Sequence, residues 1–234
     1  NTFESYLQIN GTENITASGN VFTGAETVRL TDYSGTIADA LAIVSEAMAE
    51  DAYMGISGKL YTITLEDVRE KLSGGYRLVG NVTIESGNTV SLADGVSITQ
   101  KGNDITVYGT LNAEYETVVE AFVSNSSNVY INVQDGGVVN LKNASVNLSG
   151  SYSQLIVSSG GTYNMTGGSL YVAYYGISVS SGGAMGLNGV DVKSHIDNSG
   201  TLELVNSTHT SYVNNKGTMT AEGTTFTSYV INSG

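Results

Sequence analysis

One short pattern recurs every 17 residues in the last third of the chain, as Gly183-Ala-Met-Gly-Leu187, Gly200-Thr-Leu-Glu-Leu204 and Gly217-Thr-Met-Thr-Ala221, and it begins again at Gly234. A β-branched residue stands four positions before each glycine, and apolar residues stand two and four positions after the first three. This alternation has the period of two that is typical of a strand. A repeat this short cannot bury its own apolar face, so it predicts a solenoid in which each copy stacks on the next.

The same marks continue upstream at wider intervals, at Gly161, Gly137, Gly109 and, with a one-residue slip, Gly87. We expect equivalent strands to pair in parallel, about 4.8 Å apart. Glycine is expected to recur at the turn because it accepts a positive φ without steric cost. Four asparagines beside these glycines are expected in the same turns: Asn198, Asn214, Asn215 and Asn232.

The predicted fold class is mainly β: a parallel β-helix solenoid of about seven to eight rungs over residues 77–234, with a small mixed α/β cap over residues 1–76. Two helices are predicted in the cap. The first, near 36–50, has Thr36 as its N-cap and one apolar face at helical spacing: Ile37, Leu41, Val44 and Met48. The second, near 64–73, has Thr64 as its N-cap and ends at Gly74 and Gly75.

The charge of the chain restricts its partners. Nine Lys and Arg face 22 Asp and Glu, which gives a formal net charge of −13. Nucleic acids and anionic membranes both require a basic face, so neither is expected as a partner. The chain contains no cysteine, which excludes disulfides and thiol chemistry. No apolar run has the length of a membrane span, so membrane insertion of this segment is not expected.

The segment Gly80-Asn-Val-Thr-Ile-Glu-Ser-Gly87, followed by Ile105-Thr-Val-Tyr-Gly109, resembles the opening rungs of right-handed parallel β-helix proteins of the pectate-lyase-like superfamily. Two later segments, Val157-Ser-Ser-Gly-Gly-Thr-Tyr163 and Val179-Ser-Ser-Gly-Gly-Ala-Met185, resemble the glycine-rich repeats of bacterial autotransporter passengers and surface adhesins. The resemblance covers roughly residues 77–234 and implies the right-handed fold. It does not select a function, because the same fold is used by lyases, hydrolases, phage tailspikes and adhesin stalks.

Candidate catalytic groups are sparse along the repeat. A β-helix that acts on polysaccharides usually needs carboxylates on neighbouring rungs, but Glu203 aligns with Gly186 and Thr220. His195 is expected to point outward and His209 into the core. We therefore predict no catalytic, cofactor-binding or metal-binding residues, and no cofactor.

Two surfaces remain as candidates for contact with a partner. Exposed tyrosines can bind glycan or protein, and five are proposed as an interaction surface: Tyr171, Tyr174, Tyr175, Tyr212 and Tyr229. The last strand is a candidate assembly end, with Val230, Ile231 and Asn232. The variable segments Glu114–Asn128 and Ser149–Gln154 are expected to protrude as loops, where solenoids often carry specificity.

The function predicted from these features is a non-enzymatic, extracellular cell-surface structural or adhesion protein, a rigid β-helical stalk or assembly module. Its expected partners are glycans or proteins of a host or neighbouring cell surface, or copies of itself. One alternative is a filament subunit that stacks head to tail through its cap and open end. The other is a polysaccharide lyase or hydrolase, which predicts a groove with clustered acids.

Overall fold

The computed structural model of the chain describes residues 1–11, 19–47, 49–125 and 128–234. These residues form one helix, α1 (Ile37–Ile43), and 26 strands. The strands before residue 100 are β1 (Thr2–Phe3), β2 (Leu7–Asn10), β3 (Asn20–Phe22), β4 (Glu26–Tyr33), β5 (Val44–Ala47), β6 (Tyr53–Leu60), β7 (Ile63–Leu65), β8 (Tyr76–Ile84), β9 (Thr89–Leu92) and β10 (Ile98–Thr99).

The remaining strands lie in the repeat region. Those before residue 180 are β11 (Ile105–Val107), β12 (Thr110–Ser124), β13 (Tyr130–Val133), β14 (Val138–Leu148), β15 (Gln154–Val157), β16 (Thr162–Val172) and β17 (Ile177–Val179). Those after it are β18 (Ala184–Asn188), β19 (Asp191–Val192), β20 (Ile196–Asn198), β21 (Thr201–Val205), β22 (Thr208–His209), β23 (Val213–Asn215), β24 (Thr218–Glu222), β25 (Thr225–Phe226) and β26 (Val230–Asn232).

The strands stack in parallel as three ladders, which confirms the parallel β-helix. Ladder A holds, in register, Val82, Ile105, Ile131, Leu155, Ile177, Ile196, Val213 and Val230. Ladder B holds Ile63, Val90, Leu111, Val139, Tyr163, Met185, Leu202 and Met219. Ladder C holds Met54, Tyr76, Ile98, Phe122, Val146, Leu170, Val192, His209 and Phe226.

The core lies between the three ladders. Buried and less buried residues alternate along the strands, as in β14, so one face of each strand points inward. The register follows the predicted template, including the slip at Gly87, because Leu111 pairs with Val90 rather than with the residue two after Gly87. Apolar burial therefore sets the alignment of the rungs, since a shift of one residue would turn every core side chain outward.

The recurring glycines have a different cause from the one predicted. Among the repeating glycines only Gly87 has a positive φ, of 79°. In three later rungs the positive φ lies one position earlier, at Gly136, Gly160 and Gly182. A Cβ at Gly200 would lie 2.3 Å from the carbonyl oxygen of Gly183 in the rung below. The repeating glycine is required because two backbones approach closely there, so no side chain fits.

All four asparagines assigned to turns lie in strands instead. Asn198 and Asn215 are almost completely buried in ladder A, at the place where Val179 stands one rung earlier. Asn198 Nδ2 donates to Asn215 Oδ1 at 2.5 Å, and Asn215 Nδ2 donates to Asn232 Oδ1 at 2.6 Å. Equivalent amides one rung apart satisfy one another, which permits a polar residue in the core.

The first predicted helix is confirmed only over α1. The Thr36 hydroxyl accepts a hydrogen bond from the Asp39 amide at 3.2 Å, as an N-cap does. The helix ends at Ile43 because Val44–Ala47 becomes strand β5, which pairs with β3 in a separate three-stranded parallel sheet with β1. Strand pairing thus overrides the helical spacing, and Met48 lies outside the described residues.

The helix predicted near 64–73 is wrong. Thr64, the expected N-cap, lies inside β7, which pairs in parallel with β9. Only a single turn follows, in which the Leu72 amide donates to the Val68 carbonyl at 2.7 Å. Both of these side chains are buried, so their spacing of four residues places them in the core through one turn rather than through a helix.

The ladders also continue into residues 1–76. Strand β8 crosses the predicted domain boundary and pairs with β6, which pairs with β4 and through it with β2. The segment Glu114–Ser124, predicted as the start of a loop, is part of strand β12, whose register shifts relative to β14 on both sides of Val119 and Glu120. These irregularities absorb the extra residues of the rung without breaking the stack.

Candidate interaction surface

Most of the exposed aromatic residues gather where the chain passes from ladder C to ladder A, which we call the C–A edge. In each rung, ladder A has a first inward-pointing residue, such as Ile177 or Ile196. The residue immediately before it occupies the C–A edge. In successive rungs it is Gly176, His195, Tyr212 and Tyr229. The parallel register therefore brings side chains 17 or more residues apart in sequence into one row along the stack.

Three rings in this row form a stack, which we call the aromatic stack. The ring centroids of His195 and Tyr212 are 4.8 Å apart with an angle of 10° between planes, and those of Tyr212 and Tyr229 are 5.4 Å apart with 5°. Burial raises the pKa of Tyr212 above its ordinary value, with smaller contributions from Asp197 and Tyr229. Because the faces of these rings cover one another, Tyr212 presents mainly its edge and hydroxyl to solvent.

Gly176 leaves room for the aromatic stack. A Cβ at this position would lie 2.6 Å from Cε1 of His195, and the backbone there has a φ of 59°. Only glycine meets both conditions without strain. His195 Nε2 also lies 4.0 Å from the Asp197 carboxylate, so the ring is held between the backbone below it and Tyr212 above it.

A second aromatic group lies on the same edge, in the two preceding rungs. Tyr152, Tyr174 and Tyr175 form what we call the tyrosine cluster. The centroid of Tyr174 lies 4.8 Å from that of Tyr152 and 5.1 Å from that of Tyr175, and the planes meet at 66° and 81°. Tyr174 is 68% exposed, and the other two are 44% exposed. Edge-to-face contact leaves large parts of the ring faces open to solvent.

The five tyrosines selected from the sequence therefore occupy three places. Tyr174 and Tyr175 belong to the tyrosine cluster, and Tyr212 and Tyr229 belong to the aromatic stack. Tyr171 lies apart on the outer surface of ladder C, paired in register with Asn147 and beside a depression lined by Ser145, Ser169 and Lys193. The sequence pattern identified these tyrosines as surface residues but could not show which rings stack on one another and which face solvent.

Tyr152 was missed in the sequence. It lies in the segment Ser149–Gln154, which the sequence predicts to be a protruding loop without singling out this tyrosine. It precedes Tyr174 by the same 22 residues that separate Gly161 from Gly183. The spacing of the rungs in the sequence therefore already indicated that Tyr152 and Tyr174 are equivalent.

The candidate assembly end lies in the last rung. Val230 and Ile231 are 38% and 52% exposed, while Asn232 accepts the hydrogen bond from Asn215. Strand β26 pairs with β23 on one side. It thus continues ladder A with the same geometry as the rungs before it.

The acidic residues are dispersed over the described surface. As predicted, Glu203 aligns with Gly186 and Thr220. Two shallow depressions on ladder B contain one carboxylate each, from Glu203 and from Glu114. In the described parts of the chain, no three His, Cys, Asp or Glu residues come close enough to hold a metal ion.

Two titratable groups are influenced by burial. His209 lies in the core of ladder C, as predicted, with Nδ1 2.9 Å from the Ser211 carbonyl oxygen. Burial lowers the pKa of His209, while hydrogen bonds with the backbone of Ser211 and Ser194 act in the opposite direction and raise it. Burial raises the pKa of Asp104, which accepts a hydrogen bond from the Tyr130 amide. Asp104 immediately precedes Ile105 and so lies on the C–A edge, two rungs before Gln154.

Comparison of the chain with protein-family models, with curated proteins and with solved structures gives no match. The stack of parallel rungs and the two aromatic groups are therefore the grounds on which its function can be argued. Within the described residues, no helix is long and apolar enough to cross a membrane.

Proposed function

We propose that this chain is a non-enzymatic structural and adhesion module of an extracellular cell surface, in which a stiff β-helical stalk carries a contact surface along its side. The observation that supports this most is the continuity of the three ladders combined with the exposed tyrosine cluster on one of their edges. The solenoid fixes the position of the cluster, and the cluster provides contact area.

The stiffness follows from how the rungs are joined. Backbone hydrogen bonds connect neighbouring rungs at each turn, for example from Thr162 to Gly137 at 2.9 Å and from Thr218 to Gly200 at 2.8 Å. The core behind them is filled with aliphatic and aromatic side chains that are nearly inaccessible to solvent. Each rung contacts mainly its neighbours, so bending the stack at one point breaks both its hydrogen bonds and its packing.

The right-handed twist, the membership in the pectate-lyase-like superfamily and the kinship with autotransporter passengers are part of this proposal. Their support is the resemblance of residues 77–234 to such repeats, together with the parallel stack. Placement outside the cell belongs to the same proposal. A chain with only 13% charged residues suits contact with hydroxyl-rich, uncharged material.

The proposal is tested with beads that display the whole chain. The beads are held under flow against surfaces coated with cell-wall polysaccharides or with surface glycoproteins, and the liquid is analysed for shortened glycans. We expect retention on at least one coating and no shortened product. Release of shortened glycans would support the enzymatic alternative, and detachment from every coating would overturn an adhesive role.

Negative-stain electron microscopy over a range of concentrations separates the stalk from the filament alternative. A stalk module gives dispersed short rods at each concentration. Filaments that lengthen with concentration would instead support head-to-tail assembly, because a heterologous contact propagates without closing.

A further inference from the structure

We propose that the tyrosine cluster is a binding site for an uncharged carbohydrate chain. This inference rests on the proposed adhesive function and names the class of partner that this surface takes. Three observations support it: the backbone conformation of two of the tyrosines, the openness of their rings, and the absence of charged residues from the two segments that carry them.

The backbone conformation is unusual for tyrosine. Tyr152 has a φ of 64° and Tyr174 a φ of 58°, in the left-handed region that glycine and asparagine normally occupy. The other non-glycine residues with positive φ in the described chain are the smaller or flexible Asp32, Lys101, Asn128, Asn143 and Asn206. Bulky residues held in this region mark places where function outweighs local strain. The fold itself would be served better by glycine at both positions.

The rings are arranged for contact with a flat ligand. In the aromatic stack the planes lie within 10° of one another and each ring covers the next. In the tyrosine cluster the planes of Tyr174 and Tyr175 meet at 81°, so large parts of their electron-rich faces remain open. Such faces attract the weakly positive C–H groups of a pyranose ring, and the phenol hydroxyls can exchange hydrogen bonds with sugar hydroxyls.

The surroundings favour an uncharged ligand. Residues 149–154 and 173–176, which carry the three tyrosines, contain serine, glycine, glutamine and alanine but no charged residue. The nearby Lys193 ammonium is paired with the Asp191 carboxylate at 3.1 Å. With a formal net charge of −13, the chain repels acidic glycans at long range.

The size of the surface favours a carbohydrate over a protein. A tyrosine buries roughly 150–250 Å² when fully covered, so three half-exposed rings offer at most a few hundred Å². A stable protein partner usually covers about 800 Å² on each side. The rings also sit on a rigid stack, so little conformational freedom is lost when a ligand binds.

The test uses isothermal titration calorimetry of the whole chain with neutral hexasaccharides of glucose, mannose and N-acetylglucosamine, and with hexagalacturonate as the acidic probe. The main variant is Tyr152→Gly/Tyr174→Gly. It removes two rings while placing glycine at both positive-φ positions, so the fold should be as stable as before or more stable. Thermal unfolding of each variant verifies this.

The matched control is Tyr108→Ala. Tyr108 is 41% exposed, close to the value of Tyr152, but it lies beside Gly109 at the turn between ladders A and B. We expect the wild-type chain to bind at least one neutral hexasaccharide and to bind hexagalacturonate more weakly. The double glycine variant should bind about tenfold more weakly or worse, while Tyr108→Ala keeps the wild-type affinity.

Equal affinity of the double glycine variant and the wild type would overturn the inference, as would stronger binding of hexagalacturonate or binding of no neutral hexasaccharide. Retention of the beads on glycoprotein while no hexasaccharide binds would leave the adhesive function standing and point to a protein partner. Loss of all retention would instead overturn the function on which the inference rests.

Discussion

The middle rungs of the stack, from β12 to β19, and the final rungs, from β20 to β26, place different residues at equivalent inward positions. In ladder A the middle rungs use valine, as at Val157 and Val179, whereas the final rungs use asparagine. In ladder C the middle rungs use aliphatic residues after Phe122, whereas the final rungs place His209 next to Phe226.

The comparison shows that one rung geometry accepts two kinds of interior. Apolar burial stabilises the middle rungs without demanding a particular partner, because hydrophobic contact has no direction. The final rungs contain a row of hydrogen-bonded side-chain amides, Asn198, Asn215 and Asn232, which we call the amide ladder. Its hydrogen bonds form only when equivalent residues align. We infer that the asparagines help to fix the register of the final rungs, which are only 17 residues long.

The largest effect is expected in the middle rungs. Phe122 is buried between Ile98 and Val146 of ladder C, so Phe122→Ala leaves a cavity and should lower the free energy of unfolding by about 3–5 kcal/mol. Chemical denaturation followed by circular dichroism measures this. The control Val118→Ala, at a residue that is 61% exposed, should change stability by less than about 0.5 kcal/mol. Similar losses for both variants would contradict this view of the core.

A smaller loss of stability is expected from the feature that the two regions share, a glycine at the turn of each rung. In Gly200→Ala the new Cβ would be forced against the Gly183 carbonyl. We expect a loss of about 1–3 kcal/mol from overpacking. Gly186→Ala is the matched control, since its Cβ would meet only the exposed Asn164 amide at 3.3 Å. Thermal unfolding should separate the two variants, and equal melting temperatures would argue against the close-approach explanation.

The amide ladder can be broken or replaced. Asn215→Ala removes the side-chain acceptor of the buried Asn198 amide, which keeps the Thr218 carbonyl at 3.0 Å, so it should cost about 1–3 kcal/mol. The double variant Asn198→Val/Asn215→Val extends the apolar column of Val179 and should lose less stability than the single variant. Denaturant midpoints test this order. A double variant that is less stable than the single one would show that the ladder contributes more than mutual satisfaction of its amides.

The smallest effect is the pH dependence of the final rungs. Because burial lowers the pKa of His209 in the folded state, the unfolded chain binds the proton more readily. The stabilisation is therefore complete above the ordinary pKa of 6.5 and decreases as the pH falls toward the folded-state value. We expect the melting temperature of the wild type to fall between about pH 8 and about pH 5 by more than that of His209→Phe. Parallel curves for both proteins would exclude His209 as the cause.

A good part of the molecule could be predicted from its sequence. The period of two within the repeat and the recurring glycine specified parallel strands, their register and the position of His209 in the core. These features depend on local alternation and on spacing, which the sequence displays directly. The N-cap at Thr36 was visible for the same reason.

Other features depended on distant parts of the chain. The second helix was mispredicted because Thr64 is drawn into a strand by pairing with β9, and α1 is short because Val44 pairs with β3. The repeating glycines were located correctly but explained wrongly, since they are required by the carbonyl of the neighbouring rung. The asparagines were assigned to turns but lie in strands, where Asn198 and Asn215 bond to the amide of the neighbouring rung. Such contacts join residues about 17–28 positions apart and leave little trace in a single rung.

The sequence by itself determined that this chain is a stack of parallel rungs. The apolar periodicity indicates which side chains of each strand must be buried, and the glycine spacing indicates where each rung begins again. The tertiary structure alone decided which tyrosines cover one another and which face solvent. That distinction depends on ring angles and on the backbone at Tyr152, Tyr174 and Gly176, which are set only when neighbouring rungs come into contact.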